Sequence, residues 1–302
     1  MKRIILTGAT GLIGSKVAAK LIERGDEVVV FSRNPNSAKL KIPGAFNYVE
    51  WNYDLLGNWT EQIDEADSVI HLAGENVMGG RWTTSHKNKV EKSRFIGTKN
   101  LVDAICKSKR KPVFICASAI GFYDNSINKI VDENSEHGSG FLSYVTQKWE
   151  EEATNVEKCG VRRVSIRTGI VLEQTEGALA KMLTPFKFFI GGPLGSGKQW
   201  MPWIHIADIA ALFIYAVDNE IHGAFNGVAP NVVTMNEFSL TIGKILNRPS
   251  IFKIPEFVLK LVLGEAVEVV TKGSKVFPKK TLESGFQFRY TDLSEALRNI
   301  LD

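Results

Sequence analysis

The chain has 302 residues, 44% hydrophobic and 23% charged, with 26 Gly and 10 Pro. That length and balance exclude a small disulfide scaffold, a disordered chain and a collagen-like repeat, and allow one large α/β domain or a domain and a half. Lys+Arg 37 against Asp+Glu 33 leaves a net charge of +4 with the signs interspersed, which predicts no nucleic-acid partner and no membrane partner. Cys106, Cys116 and Cys159 stand far apart without CxxC spacing, so neither a zinc site nor a disulfide framework is expected, and a reducing, cytoplasmic compartment fits best.

Met1-Lys2-Arg3 before Ile4-Ile5-Leu6 has the charge order of a leader, but Gly8, Gly11 and Ser15-Lys16 break the apolar run, so it reads as a first strand. Short β-branched runs then alternate with helical patterns, which predicts a doubly wound α/β fold with a parallel sheet. Strands are expected at Arg3 to Thr7, Glu27 to Phe31, Phe46 to Glu50, Ser68 to Leu72, Val113 to Ala117 and Arg163 to Arg167. Helices are expected at Leu12 to Arg24, Ser85 to Lys107 and Leu142 to Lys158. After Arg167 the Gly-rich run Gly191 to Gly197 reads as a loop, and Trp200 to Ile206 as extended chain. Residues 1–230 are assigned to the nucleotide-binding domain, with substrate-lobe segments from about 170, and 231–302 to a helical C-terminal lobe that completes the substrate side. No apolar run spans a bilayer, since Val258 to Val270 carries Lys260, Glu265 and Glu268.

Gly8-Ala9-Thr10-Gly11-Leu12-Ile13-Gly14 falls between a predicted strand and a predicted helix, the context of a dinucleotide fingerprint in a Rossmann fold. The glycines permit a tight turn, and the helix N-terminus offers free N–H groups to a pyrophosphate. At the end of the second strand, where NAD sites place a carboxylate, the chain has Ser32-Arg33-Asn34. Arg33 can fork onto a 2′-phosphate, which predicts NADP(H) over NAD(H).

Tyr144 and Lys148 are four residues apart on a predicted helix and share a face with Glu152. A tyrosine working as acid/base near neutrality must come down from a pKa near 10, and a neighbouring ammonium favours the phenolate. His71, His205 and Asp208 lack metal-ligand spacing, and no metal is expected; strand-end packing, a satisfied buried histidine and a helix cap are their plainer readings.

With these motifs the chain resembles the extended short-chain dehydrogenases/reductases, the NAD-dependent epimerase/dehydratase family. The resemblance rests on the glycine turn, Tyr144-Val145-Thr146-Gln147-Lys148, His71-Leu72-Ala73-Gly74, Gly97-Thr98 and Trp203-Ile204-His205-Ile206-Ala207-Asp208. More narrowly, Leu72 to Asn76, Gly195 to His205, Asn226 to Pro230 and Gly285 to Tyr290 are similar to an "epimerase family protein" subgroup with a C-terminal domain of unknown function. The resemblance implies that Leu72, Ala73, Gly74 and Glu75 seat the cofactor with Gly8, Thr10, Gly11, Leu12, Ile13, Gly14, Ser32 and Arg33. It further implies Tyr144 as acid/base, with Lys148 lowering its pKa and holding the nicotinamide ribose.

Three positions depart from the family pattern: Ala119 where a Ser/Thr is usual, Asp124 where a glycine follows the tyrosine, and Arg94 in place of a relay asparagine. Ser118 is the substitute donor to the substrate oxygen, and Arg94 is either an anion ligand or a solvated helix residue. Phe122, Tyr123, Phe141, Trp200 and Trp203 hint at a flat or apolar small-molecule substrate, with core packing as the default. The reading is an NADP(H)-dependent oxidoreductase or epimerase, monomeric or homodimeric; the alternative is an NADPH-binding sensor or scaffold without chemistry.

Overall fold

The computed structural model describes residues 1–123 and 129–302; Asp124 lies outside them. Seven strands form the central sheet: β1 (Arg3–Thr7), β2 (Glu27–Ser32), β3 (Asn47–Glu50), β4 (Ser68–His71), β5 (Val113–Ala119), β6 (Arg163–Thr168) and β7 (Gly223–Gly227). Their order is β7-β6-β5-β4-β1-β2-β3 and every pairing is parallel. The six expected strands are all present, within two residues at each end. The edge strand β7 escaped the sequence reading because Gly223-Ala224-Phe225-Asn226-Gly227 carries almost no β-branched signal.

Near-continuous apolar runs such as Ile4, Ile5 and Leu6 are fully buried because helices cover both faces of the sheet. One face carries α1 (Leu12–Glu23) and α6 (Ile206–Asp218), whose Val17, Leu21, Ile209 and Phe213 pack with Ile4, Leu6, Val164 and Ile166 of the sheet; α2 (Pro35–Lys41) and α5 (Gly177–Lys187) come between them in the chain. The other carries α3 (Thr84–Lys107) and α4 (Phe141–Thr154), with Leu101, Ile105 and Trp149 against Phe114. The reversal of strand order between β1 and β4 opens a crevice at the carboxyl ends of the strands, where ligands of such sheets bind.

A further core joins residues 170–203 to the tail: Leu172, Leu183 and Trp203 pack with Phe238, Tyr290, Leu293 and Leu297. Asp208 clamps that tail, its two carboxylate oxygens accepting the backbone N–H groups of Arg289 and Tyr290 at 2.9 Å each. His205 caps α6, its Nδ1 accepting from Ala207 N at 3.0 Å, and stacks on Tyr290.

The cysteine reading is corrected by the structure. Cys106 and Cys159 are disulfide-bonded across a sequence separation of 53, with Cα atoms 5.4 Å apart. The end of α3 and the short helix Asn155–Cys159 lie side by side, an adjacency that spacing in sequence does not encode. The cysteine argument for a reducing compartment lapses with it. Cys106→Ser is expected to lower unfolding stability by about 2–4 kcal/mol under non-reducing conditions and by nothing in excess reductant. Denaturant titrations with and without reductant check this.

Candidate active site

The crevice is a cavity of about 240 Å³ whose walls include Gly8, Thr10, Gly11, Ser32, Arg33, Trp51 and Tyr53, and whose floor is Leu72 to Glu75 with Ser93. The glycine turn makes its tip. Gly8 has φ +69°, and a Cβ there would stand 2.7 Å from the Leu72 carbonyl carbon, so only glycine lets β1 pass this close to the end of β4. Gly14 serves packing instead: a Cβ would stand 2.2 Å from Gly8 O, so glycine seats α1 against the turn. No side chain caps the N-terminus of α1 at Gly11, which leaves its N–H groups to an anion.

Nine of the expected cofactor residues line the cavity: Gly8, Thr10, Gly11, Ser32, Arg33, Leu72, Ala73, Gly74 and Glu75. Leu12 and Ile13 pack their side chains against the apolar core and Gly14 seats α1, so what these three offer a ligand is their backbone N–H groups at the start of the helix. Arg33 is placed by its neighbours. Asn34 N donates to Ser32 Oγ at 3.2 Å, and Asn34 Oδ1 caps the following helix Pro35–Lys41 by accepting from Ser37 N at 3.0 Å. This tight turn leaves Arg33 exposed at the cavity rim.

The floor is held by a polar chain that the sequence concealed. Thr7 Oγ1 accepts from Leu72 N and Ala73 N, each at 3.2 Å, and lies 2.8 Å from His71 Nδ1. With its lone pairs so used the hydroxyl donates to Nδ1, which assigns the ring proton to Nε2. His71 is wholly buried between Trp51, Phe114 and Trp149. Burial, helped by the charge of Arg94, pushes its pKa down to about 3. Next along the floor, Glu75 N donates to Ser93 Oγ at 3.0 Å, while Arg94 Nη1 donates to Glu75 O at 3.0 Å. Arg94 also lies 4.9 Å over the Trp149 ring, and burial lowers its pKa to about 10. It is therefore not a solvated helix residue but a half-buried prop beneath the floor.

An uncharged His71 gives a sign-definite pH dependence. The unfolded chain takes up a proton near the ordinary histidine value of 6.5, and the folded chain only near pH 3. Unfolding stability is therefore expected to fall as pH drops from about 6.5 towards 3, and His71→Asn to flatten that slope in melting curves. Equal slopes for the two proteins would refute the burial argument.

None of the three expected catalytic residues, Tyr144, Lys148 and Ser118, is among the residues that line the cavity. Buried positions of α4 include Ser143, Val145, Thr146, Trp149 and Ala153, and Leu142 meets Gly121. Tyr144 and Lys148 lie on the opposite side of that helix, since two residues rotate a side chain by about 200°. Tyr144 is 47% exposed against the edge of Phe95. Lys148 is exposed, and its hydrogen bond to Glu151 at 2.6 Å is the main cause of a raised pKa. Neither lines the cavity. The i, i+4 spacing correctly predicts that the two share a face, but not which face the fold turns inward.

Ser118 is likewise committed elsewhere. Its hydroxyl donates to Glu150 Oε1 at 2.6 Å, and Arg167 grips both oxygens of Glu150 at 2.8 Å each. Arg167 Nη1 donates to the Tyr123 hydroxyl at 2.9 Å, and Tyr123 donates to Asn226 Oδ1 at 2.7 Å. Burial opposes the charge on Arg167, but the hydrogen bonds and charge of Glu150 outweigh it and raise its pKa. Burial pushes the Tyr123 hydroxyl up to about 12. The hint of an aromatic substrate lining is corrected for Tyr123 and Trp203, both buried in packing, and for Phe141, which packs edge-on against Trp82.

Sequence order, glycine turn and crevice together define a dinucleotide-binding α/β protein of the short-chain dehydrogenase/reductase type. A model of the NAD dependent epimerase/dehydratase family matches residues 4–148, and a domain of unknown function matches residues 254–300. Epimerase family protein YfhF of Bacillus subtilis (strain 168) is 38% identical over 302 residues, 99% of this chain and 97% of that protein. The human epimerase family protein SDR39U1 (isoform2), crystallised with NADPH, superposes with TM-score 0.86 at 34% identity, covering 99% of this chain and 98% of that one. A UDP-N-acetylglucosamine 4-epimerase from Bacillus cereus shares the fold at TM-score 0.77 and 19% identity, covering 99% and 98%. The chain belongs to the NAD dependent epimerase/dehydratase family.

Proposed function

We propose that this protein binds NADP(H) in the crevice and acts as an oxidoreductase or epimerase on a hydroxyl or keto carbon of a small molecule. The observation that carries the reading is Arg33 on the rim of a cavity whose tip is the glycine turn. Bound NADPH in the human relative supports the same choice. Gly8, Thr10 and Gly11 would take the pyrophosphate, and Ser32 and Arg33 the 2′-phosphate. Trp51 and Tyr53 present aromatic surface on the β3 side, which suits the adenine ring. Leu72 to Glu75, fixed by Thr7, Ser93 and Arg94, would carry the ribose and nicotinamide. The bound nicotinamide supplies or accepts a hydride.

In this reading the proton that accompanies the hydride passes between the reacting oxygen and water at the open crevice, so Tyr144 and Lys148 have no part in the proton transfer. Tyr144→Phe and Lys148→Ala are expected to keep wild-type NADPH affinity and wild-type turnover across panels of carbonyl compounds and sugar nucleotides. Turnover abolished by Tyr144→Phe alone would restore the pair as the acid/base.

A second reading, an NADPH-binding sensor or scaffold without chemistry, is favoured by the same face of α4. The hydroxyls of Ser143 and Thr146 are spent on backbone carbonyls and Glu150 on Arg167, so no free acid/base side chain stands on its inner face. NADPH binding without turnover on any panel member selects it.

A further inference from the structure

One exposed surface that the crevice does not explain is apolar. Phe188 is 71% exposed, and Ile251, Phe257 and Leu261 are each 75% exposed, with Ile190 and Val262 beside them. The two stretches that carry them adjoin. Gly191 forms a parallel bridge with Ser250, Phe252 N donates to Gly191 O at 3.1 Å, and the Arg248 guanidinium lies 4.1 Å over the Phe189 ring. The helix Glu256–Leu263 follows directly, and none of its residues is buried. Its carboxyl end is nonetheless fixed: Arg81 donates to the carbonyls of Leu261 and Val262, and Glu265 just beyond pairs with Lys87 at 2.5 Å. A monomer gains nothing from a tethered helix whose apolar side meets water, and contiguous surfaces of this kind mark interaction sites.

Charge decides the occupant. Residues 187–190 and 244–263 contain Lys187, Lys244, Arg248, Lys253 and Lys260 against the single carboxylate Glu256, a net +4 that equals the formal net charge of the whole chain. A second copy docking here about a two-fold axis would bring these cations together. An anionic bilayer surface answers both features, since its headgroups meet the cations while its acyl boundary takes the aromatic and aliphatic side chains. No helix among the described residues is long and apolar enough to cross a membrane, so the contact is interfacial. We propose that the helix Glu256–Leu263, with the flanking Phe188–Ile190 and Ile251–Phe252 segments, docks this protein onto anionic lipid surfaces. The sequence expectation of no membrane partner followed from net charge over the whole chain, which averages this local cluster away.

The test is co-sedimentation of the full-length protein with phosphatidylcholine vesicles and with phosphatidylcholine–phosphatidylserine vesicles at low and raised salt. The wild type is expected to bind the phosphatidylserine vesicles and to be released by salt, with Lys253→Glu weakening binding about fivefold or more. Phe257→Ser/Leu261→Ser is expected to weaken it at least about tenfold, while Leu40→Ser, an exposed leucine outside the patch, leaves it unchanged. Melting temperature and the NADPH-induced melting shift report folding of each variant independently of lipid. Wild-type protein that sediments with neither vesicle overturns the proposal, as does binding indifferent to phosphatidylserine or to Phe257→Ser/Leu261→Ser. A dimer in sedimentation equilibrium that this double variant dissociates, without vesicle binding, overturns it in favour of self-association.

Discussion

Arg33→Ala is expected to weaken NADPH binding by about 10- to 100-fold while leaving NADH binding within experimental error. One or two charge-assisted hydrogen bonds to a dianionic phosphate are worth about 1.5–3 kcal/mol, and the rim placement of Arg33 limits solvent exclusion around them. Because NADH has no 2′-phosphate, the effect must appear as lost selectivity rather than as general loss of affinity. A thermal-shift titration with NADP⁺, NADPH, NAD⁺ and NADH reads it directly, since a ligand bound only by the native state raises the melting temperature by mass action. Equal weakening of both cofactors would assign Arg33 to the fold instead, and no NADPH shift in the wild type would remove both functional readings.

The second large effect is expected at Glu150. Removing its carboxylate leaves the Arg167 guanidinium, buried beneath the ends of β5 and β6, without its bidentate partner, and frees the Ser118 hydroxyl. Breaking a buried pair from one side costs about 3–5 kcal/mol because an uncompensated charge remains inside. Glu150→Ala should therefore lower the denaturation midpoint strongly, with Glu150→Gln milder because the amide oxygen still accepts. Glu150→Ala together with Arg167→Met should recover part of the loss, since no lone charge is then buried. A cost under about 1 kcal/mol for Glu150→Ala would mean that the cluster is solvated and does not hold the ends of these strands together.

The network reaches further than Ser118. Glu133 Oε1 accepts from Asn226 N and Thr281 N, and Glu133 Oε2 accepts from Lys280 N. The polar chain from α4 through Arg167, Tyr123 and Asn226 thus ties the sheet to the C-terminal segment. Ser118, which a motif reading treats as reaction chemistry, here belongs to a network that joins the nucleotide-binding sheet to the C-terminal segment.

The sequence by itself determined six of the seven strands of the sheet and the glycine turn and strand end of the nucleotide half of the site. A strand buried on both faces must be apolar along its whole length, and a βα turn that closes against a neighbouring strand must be glycine; both demands are local and leave local marks, from Ile4-Ile5-Leu6 to Gly8. Arg33 was legible for the same reason, since its position follows from the end of one strand. Only the tertiary structure decided the rest. The rotation of α4 about its axis, set by Trp149, Thr146 and Val145 packing inward, put Tyr144 and Lys148 outside. Trp51 and Tyr53 joined the cavity because the chain leaving β3 runs beside the end of β2, and Ser93 because the middle of α3 lies against the segment that follows β4. Cys106 met Cys159 through the adjacency of two chain segments, and Ser118 met Glu150 across β5 and α4. These are pairings between distant parts of the chain. Residue spacing fixes which side chains share a face, but the direction of that face depends on the sum of packing over the whole core.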